Sequence, residues 1–344
     1  MALVAERVLT RRELNRATLA RQLLLERSRV PLVRAVERVA GLQAQWGPAP
    51  YVGLWTRVAG FRRDALERVL LRTQIVRAVL MRGTIHLVSR GDYGVFGAAV
   101  DAPPWLRPEL AAVADGLHDS VRAFGAEPRT RTEVTAFLRR EHGVDISTGE
   151  ALWYAMRIRG RLTHAPESGL WKAQGLTRYV VVPHERAEPA AARVELVRRY
   201  LAAFGPATRA DVAEWSGLRV RDCAPALDAL EPLRRFRDEN GRELVDLPRA
   251  PLPPADAPAP VRLMPRFDNL VLSHKDRTRV LADEHRGDVI DGGWVKSTFL
   301  VDGFVAGTWE AEDGRIRLEP FAPLPRTVRR ELADEAARLE AWLR

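Results

Sequence analysis

The chain has 344 residues, which at roughly 100–200 residues per domain allows two or three domains with substantial cores. Its 54 basic and 45 acidic residues give a formal charge of +9, which excludes an acidic binder and makes a polyanionic partner worth testing. The single cysteine, Cys223, excludes a disulfide framework and any CxxC metal site, and fits a reducing cytosol.

Only Lys172, Lys275 and Lys296 are lysines, leaving 51 arginines. An Arg- and Ala-rich proteome produces the same bias, so charge alone leaves nucleic-acid binding open. The opening MALVAERVLT meets charge at Glu6 and reads as no signal peptide. No run approaches the ~18 apolar residues of a membrane span. No membrane partner and a cytoplasmic, nucleoid-associated location are expected.

A weak internal repeat organises the chain. Thr10-Arg11-Arg12-Glu13-Leu14 returns as Thr130-Arg131-Thr132-Glu133-Val134 and as Thr208-Arg209-Ala210-Asp211-Val212. Each copy is a helix start, with a threonine cap answered three residues on by a carboxylate. Capping boxes are common, but the last two copies also place an aromatic, Phe137 or Trp215, seven residues after the threonine.

In the N-terminal part, RRDALERVLLRTQ predicts a helix and IVRAVLMRGTIHLVS an alternating strand pattern. The second copy predicts a helix over 132–141 ending near Gly143, a second helix in STGEALWYAMRIRG, and a Gly-turned hairpin in RLTHAPESGLWKAQ. The third copy breaks at Ser216-Gly217-Leu218, restarts as a helix over 220–230, and continues into two strands around Asp-Glu-Asn-Gly. Helix, turn, helix and two-stranded wing is the order of a winged helix. The expected units are residues 1–100, 101–190 and 191–250.

Residues 249–260, RAPLPPADAPAP, hold five prolines in twelve positions and predict a linker or extended wrap. Strand-like runs follow in VRLMPRFDNLVLSH, STFLVDGFVAGTWE and GRIRLEPFAPL, with an amphipathic helix over 327–343. The unit 251–344 is thus expected to hold a small antiparallel sheet or barrel. The fold class is α+β.

No nucleophile triad, phosphate loop or metal cluster is visible, and the seven histidines are dispersed. His274-Lys275-Asp276 reads as a solvated turn. Two stretches stand out. In Gly41-Leu42-Gln43-Ala44-Gln45-Trp46-Gly47-Pro48, two glutamines flank one small residue and leave an extended segment on the same side. They are either a pair facing a cleft or polar residues at a surface helix end. In Met81-Arg82-Gly83-Thr84-Ile85-His86, Arg82, Thr84 and His86 share one strand face, which is either functional or half-exposed. Trp46 and Tyr51 are either stacking platforms or core. Arg157, Arg159 and Arg161, and Arg234, Arg235 and Arg237, either contact phosphates or form a solvated basic face.

At these residues the chain resembles the winged-helix DNA glycosylases of the AlkZ/YcaQ type, which carry a Gln-Φ-Gln or Gln-Φ-Asp motif. The resemblance covers nearly the whole chain: Gln43-Ala44-Gln45, MRGTIHLVS, FGPATRADVAEWSGL, MPRFDNLVLSHKDR and GGWVKSTFLVDGFVAGTWE. Ala44 is smaller than the hydrophobic residue expected at the middle position. The resemblance implies tandem winged helices in a concave arrangement with a C-terminal β-barrel. It also implies excision of N-alkylated purines, including bulky N7 adducts and interstrand crosslinks, from double-stranded DNA.

Two neutral amides suit that task because an N7-alkylguanine already carries positive charge and leaves readily without a general acid. Gln43 and Gln45 are expected to hold the attacking water or touch the lesion, a glutamine carbonyl accepting from the water while its NH2 fixes the amide's orientation. Arg82 and His86 would contact phosphate or support the amides. No metal or cofactor, and a monomer, are expected. The rival reading is a DNA-binding regulator that uses its winged helices only to hold duplex; a weaker one is a nucleoid protein.

Overall fold

A computed structural model describes residues 7–100, 103–146, 150–159, 161–173, 177–184 and 187–344. All three threonine-capped starts form. The side chains of Thr10, Thr130 and Thr208 accept from the backbone N–H of Glu13, Glu133 and Asp211, whose carboxylates accept in return, at the heads of helices Arg11–Arg21, Arg131–His142 and Arg209–Ser216. Left-handed Gly143 and Gly217 end the last two, where a missing Cβ makes that backbone cheap.

Each of three stretches runs helices into an antiparallel hairpin. Helices Ala49–Arg57 and Arg63–Leu71 lead to strands Ile75–Val79 and Ile85–Ser89. Helices Arg131–His142 and Glu150–Ile158 lead to Leu162–His164 and Arg178–Val181. Helices Arg209–Ser216 and Val220–Asp228 lead to Arg234–Asp238 and Glu243–Asp246, joined through left-handed Gly241. Met1–Glu6, the expected helix opening at 147–149, residue 160 and the hairpin tail at 174 lie outside the described residues.

The first two hairpins merge. Arg77 pairs with His164, building a six-stranded sheet whose edges are Leu42–Gln43 and Arg129–Thr130. The third hairpin is extended by Val8–Leu9, which lies parallel to Arg234–Asp238. Trp215, on the helix before that hairpin, is fully buried among Phe96, Tyr200 and Phe204.

The proline-rich stretch is a wrap. Its residues carry no regular structure, and arginines of the first helix hold its carbonyls: Arg12 donates to Ala255 (2.8 Å), Arg16 to Ala257 (2.7 Å) and Arg21 to Pro251 (2.8 Å). Prolines keep the C=O but lack the N–H, so a proline-rich strap is satisfied by donors alone. Arg21 is also paired bidentately with buried Asp246. Arg57 is paired in the same way with Asp268, at 2.8 Å on both arms.

The C-terminal strands differ from the expected barrel. Arg262–Met264, Thr298–Val301, Phe304–Glu312 and Arg315–Pro320 form one four-stranded antiparallel sheet, and no closed barrel is found among the described residues. Only four strands join, fewer than the five of even a small, partly open barrel, and the helix Arg326–Leu343 packs on both edge strands. Its Leu332, Ala336 and Leu339 are buried there. His274 also departs from the solvated turn expected of it. Its ring is buried against Tyr200 and Phe204, and Nε2 meets the Phe204 carbonyl at 3.0 Å.

Candidate functional site

The helix Leu32–Arg38 is followed by Ala40 and Gly41 in the left-handed conformation. A Cβ on Gly41 would lie 2.8 Å from Val88 Cγ1 and 3.1 Å from the Leu87 carbonyl oxygen, so glycine lets the next residues reach the neighbouring strand. Leu42–Gln43 then pairs with Leu87 and His86, and the backbone bends at Gln45. Leu42 and Ala44 enter one hydrophobic core, so the small Ala44 fills a packed position. Its carbonyl accepts from Arg77 (3.0 Å).

The two glutamines end in different surroundings. Gln43 is 6 % exposed, and its Oε1 accepts from Arg82 Nη2 at 2.8 Å. Gln45 is exposed, and its Oε1 accepts from the Ile85 N–H at 3.2 Å. Arg82 and a backbone N–H can only donate, so each contact must be made by the amide oxygen. The carbonyls are therefore the anchored ends. This reverses the expected polarity, in which the NH2 fixes the amide: here each NH2, plus one carbonyl lone pair, is left over.

Arg82 and Thr84 do not share a strand face with His86. Arg82 lies in the tight turn Met81–Gly83 with φ 56°, and the strand begins only at Ile85. Thr84 closes that turn on the Met81 carbonyl. From its left-handed position Arg82 reaches Gln43, the Trp215 carbonyl and Asn269 Oδ1 (3.4 Å). Burial pushes its guanidinium down to about 10, still cationic at neutral pH.

His86, directly across from Gln43, is fully buried. Its Nδ1 sits 3.0 Å from the Thr84 carbonyl, an acceptor, so Nδ1 carries the hydrogen and Nε2 is a lone pair without a partner. Burial, then the charge of Arg82, hold its pKa at about 3. It is a neutral acceptor and makes no phosphate contact as a cation.

His164 and His274 are likewise held below the usual histidine range, chiefly by burial. Unfolded, all three titrate near 6.5. Below that pH the unfolded chain takes up protons that the native protein refuses, so stability falls as pH drops below about 6.5, for His86 and His274 down to about 3. The loss is about 1.4 kcal/mol per pH unit for each histidine. Thermal melts at pH 7.5 and 5.0 are expected to show a large drop, diminished in His274→Asn; equal drops in both proteins would refute that histidine's part.

The remaining sequence candidates scatter. Tyr51 is 1 % exposed, donates to the Gly169 carbonyl (2.9 Å) and packs on Trp171, so it is core. Trp46 is half-buried with Arg266 over its ring. Arg157 is buried between Tyr154 and Tyr179. Arg159 pairs with Asp115, and Arg235 with Glu231 and Glu243. Arg234 covers Phe236, and Arg237 donates to the Gly241 carbonyl. The backbone carbonyl of Arg161 accepts from Tyr93.

Sequence reasoning missed Asn269, whose Nδ2 donates to the Gly41 carbonyl (3.3 Å), and Arg77 under Ala44. An Asp-Asn pair ahead of a short apolar helix was the available signal for the first. Among the described residues, no group of three or more metal-ligating side chains comes together, and no helix is long and apolar enough to cross a membrane.

A family model described as DNA glycosylase AlkZ-like matches residues 36–342. The chain is 26% identical over 343 residues to an interstrand DNA cross-link repair glycosylase from Streptomyces sahachiroi, covering 92% of each. Its fold is similar to the solved structure of the Streptomyces sahachiroi DNA glycosylase AlkZ, with a TM-score of 0.82, 23% identity and 97% of each chain covered.

Proposed function

Because this chain belongs to the AlkZ-like family of DNA glycosylases, we propose that it hydrolyses the N-glycosidic bond of cationic N-alkylated purines in double-stranded DNA. Bulky N7-guanine adducts and interstrand crosslinks are the substrate class. The repair of crosslinks named for the Streptomyces sahachiroi relative supports that choice. We read the three helix–hairpin stretches as winged helices arranged around the duplex, in a protein that acts as a monomer. A role in self-resistance, guarding a producer from its own DNA-alkylating metabolite, belongs to the same reading.

The observation that carries it is the pair of amides two residues apart, one on the short edge strand Leu42–Gln43 and one just beyond it, each with its carbonyl fixed by a donor. Among the described residues no carboxylate hydrogen-bonds to either. In an N7-alkylguanosine the base is already positive, so breaking the C1′–N9 bond returns its electron pair to N9 and leaves a neutral base. Positive charge passes to the sugar instead of being created, and no acid is required. Each anchored carbonyl keeps one lone pair to orient a water on C1′. The water oxygen bonds to C1′ and its proton goes to solvent. Neutral His86 places no imidazolium beside this centre. None of the three lysines hydrogen-bonds to either glutamine, which supports hydrolysis without an amine-linked intermediate.

The test is single-turnover incubation of the protein with duplexes carrying one N7-methylguanine, one N7 crosslink or one uracil, with abasic sites revealed by alkali. Excision of both alkylated bases with uracil untouched is expected, because uracil must leave as an anion and this site offers it no acid. Tight binding without release of any base would establish the DNA-binding regulator instead.

A further inference from the structure

Arg82 makes a junction that neither the comparisons nor the two-amide chemistry assigns. Its side chain meets three oxygens from three separate parts of the chain: Gln43 Oε1 at 2.8 Å, the Trp215 carbonyl and Asn269 Oδ1 at 3.4 Å. Asn269 also donates to the Gly41 carbonyl, two residues before Gln43, so the same edge strand is gripped twice. The Trp215 carbonyl belongs to the buried C-terminal end of helix Arg209–Ser216, where a cation is favoured.

The approach is tight at the backbone too. A Cβ on left-handed Gly217 would lie 2.8 Å from Arg82 N and 2.9 Å from its Cα, so this glycine admits the turn. Arg82 itself holds φ 56°, a conformation that non-glycine residues keep only where surroundings fix it.

We propose that Arg82 is a positioning residue: it fixes the Gln43 amide by its carbonyl, leaving the NH2 and the second carbonyl lone pair available to the site, and ties that orientation to Trp215 and Asn269. The inference rests on the glycosylase reading for its kinetic consequence, although the amide geometry can be read without it. A planar guanidinium with donors in several directions is suited to three oxygens; an ammonium is a point charge that matches them less well.

The experiment compares wild type, Arg82→Met, Arg82→Lys, Gln43→Ala and the double variant Arg82→Met/Gln43→Ala. Single-turnover excision of N7-methylguanine, duplex affinity and melting temperature are measured for each. Arg82→Met is expected to lose about 100-fold in rate, the scale of a misplaced reacting group, with affinity unchanged. Arg82→Lys should recover part of the rate. With Gln43 already absent, removing Arg82 should cost no further rate, though it lowers the melting temperature in either background. A purely structural tie would make the two rate losses multiply, and that result overturns the proposal.

The Gln43 side-chain amide resonances, assigned through Gln43→Ala, provide a readout independent of activity. They are expected to be well dispersed in wild type, where the carbonyl is fixed by Arg82, and to move toward the positions of a free glutamine amide in Arg82→Met while the Trp215 indole signal persists. No excision by wild type would overturn the glycosylase reading alone; an unchanged Gln43 amide in Arg82→Met would overturn the positioning role alone.

Discussion

Gln43→Ala is expected to bind lesion-bearing duplex as tightly as wild type and to excise N7-methylguanine about 100- to 1,000-fold more slowly, the range found when one preorganised polar group is removed from a transition state. The side chain is nearly buried and has one strong anchor, so its removal erases a fixed dipole from the site. It also leaves Arg82 facing an empty position, with its bonds to Trp215 and Asn269 intact. Gln45→Ala should lose less, because Gln45 is exposed and held by a single backbone N–H. Single-turnover rates at saturating enzyme, set beside equilibrium binding, separate the two effects. Full activity in Gln43→Ala would remove the amide pair from the mechanism.

The second large effect is on stability. Asp268→Ala is expected to cost about 3–5 kcal/mol, because it strands the Arg57 guanidinium, fully buried and otherwise paired at 2.8 Å on both arms. Asp268 also caps the short helix Asn269–Leu272 by accepting from the Leu270 N–H, so the loss spreads to the Asn269 that grips Gly41. Replacing both partners, Arg57→Met with Asp268→Leu, removes the buried charge together with its counterion and should recover most of the loss. Chemical denaturation of wild type and the two variants measures this. A double variant no more stable than Asp268→Ala would show that the cap and its neighbours carry the effect, not the stranded charge.

How much of this is legible in the sequence depends on the distance over which each feature is decided. The threonine caps are local, complete within four residues, and their carboxylates stand at the required spacing. The Gln43-Ala44-Gln45 stretch stands out because two amides beside a Gly and a Pro have no role in an apolar helix end. Arg82 is read wrongly as a strand residue because alternation continues through it, whereas the chain turns there on a left-handed conformation supported by Gly217, far along the sequence. His86 and His274 look polar in a local window. Their burial is decided by Gln43 and Arg82 in one case, and by Tyr200 and Phe204 in the other. The barrel expectation fails for a similar reason: the strands have the right texture, but only four of them pair and the final helix covers both edges. Arginine is the hardest residue to place, since the same side chain serves phosphate, an exposed carboxylate or a buried aspartate, and only the fold distinguishes them.

The first helix also carries a statement about time. During synthesis Arg11–Arg21 leaves the ribosome early, yet the groups that complete it are made last: Asp246, the strap at Pro251, Ala255 and Ala257, and Asp302 and Gly303 beyond. Until then Arg16 and Arg21 lack their carboxylate partners, Arg21 having only the Leu201 carbonyl, and Val8–Leu9 has no strand to join until Arg237 and Asp238 emerge. The surface of helix Pro189–Phe204 that this helix packs against is made earlier, but the full set of partners for its arginines exists only once the chain has passed Asp302. A chain halted before residue 246 could hold this helix against Pro189–Phe204, but without the Asp246 carboxylate and the strap carbonyls that satisfy Arg21 and Arg16.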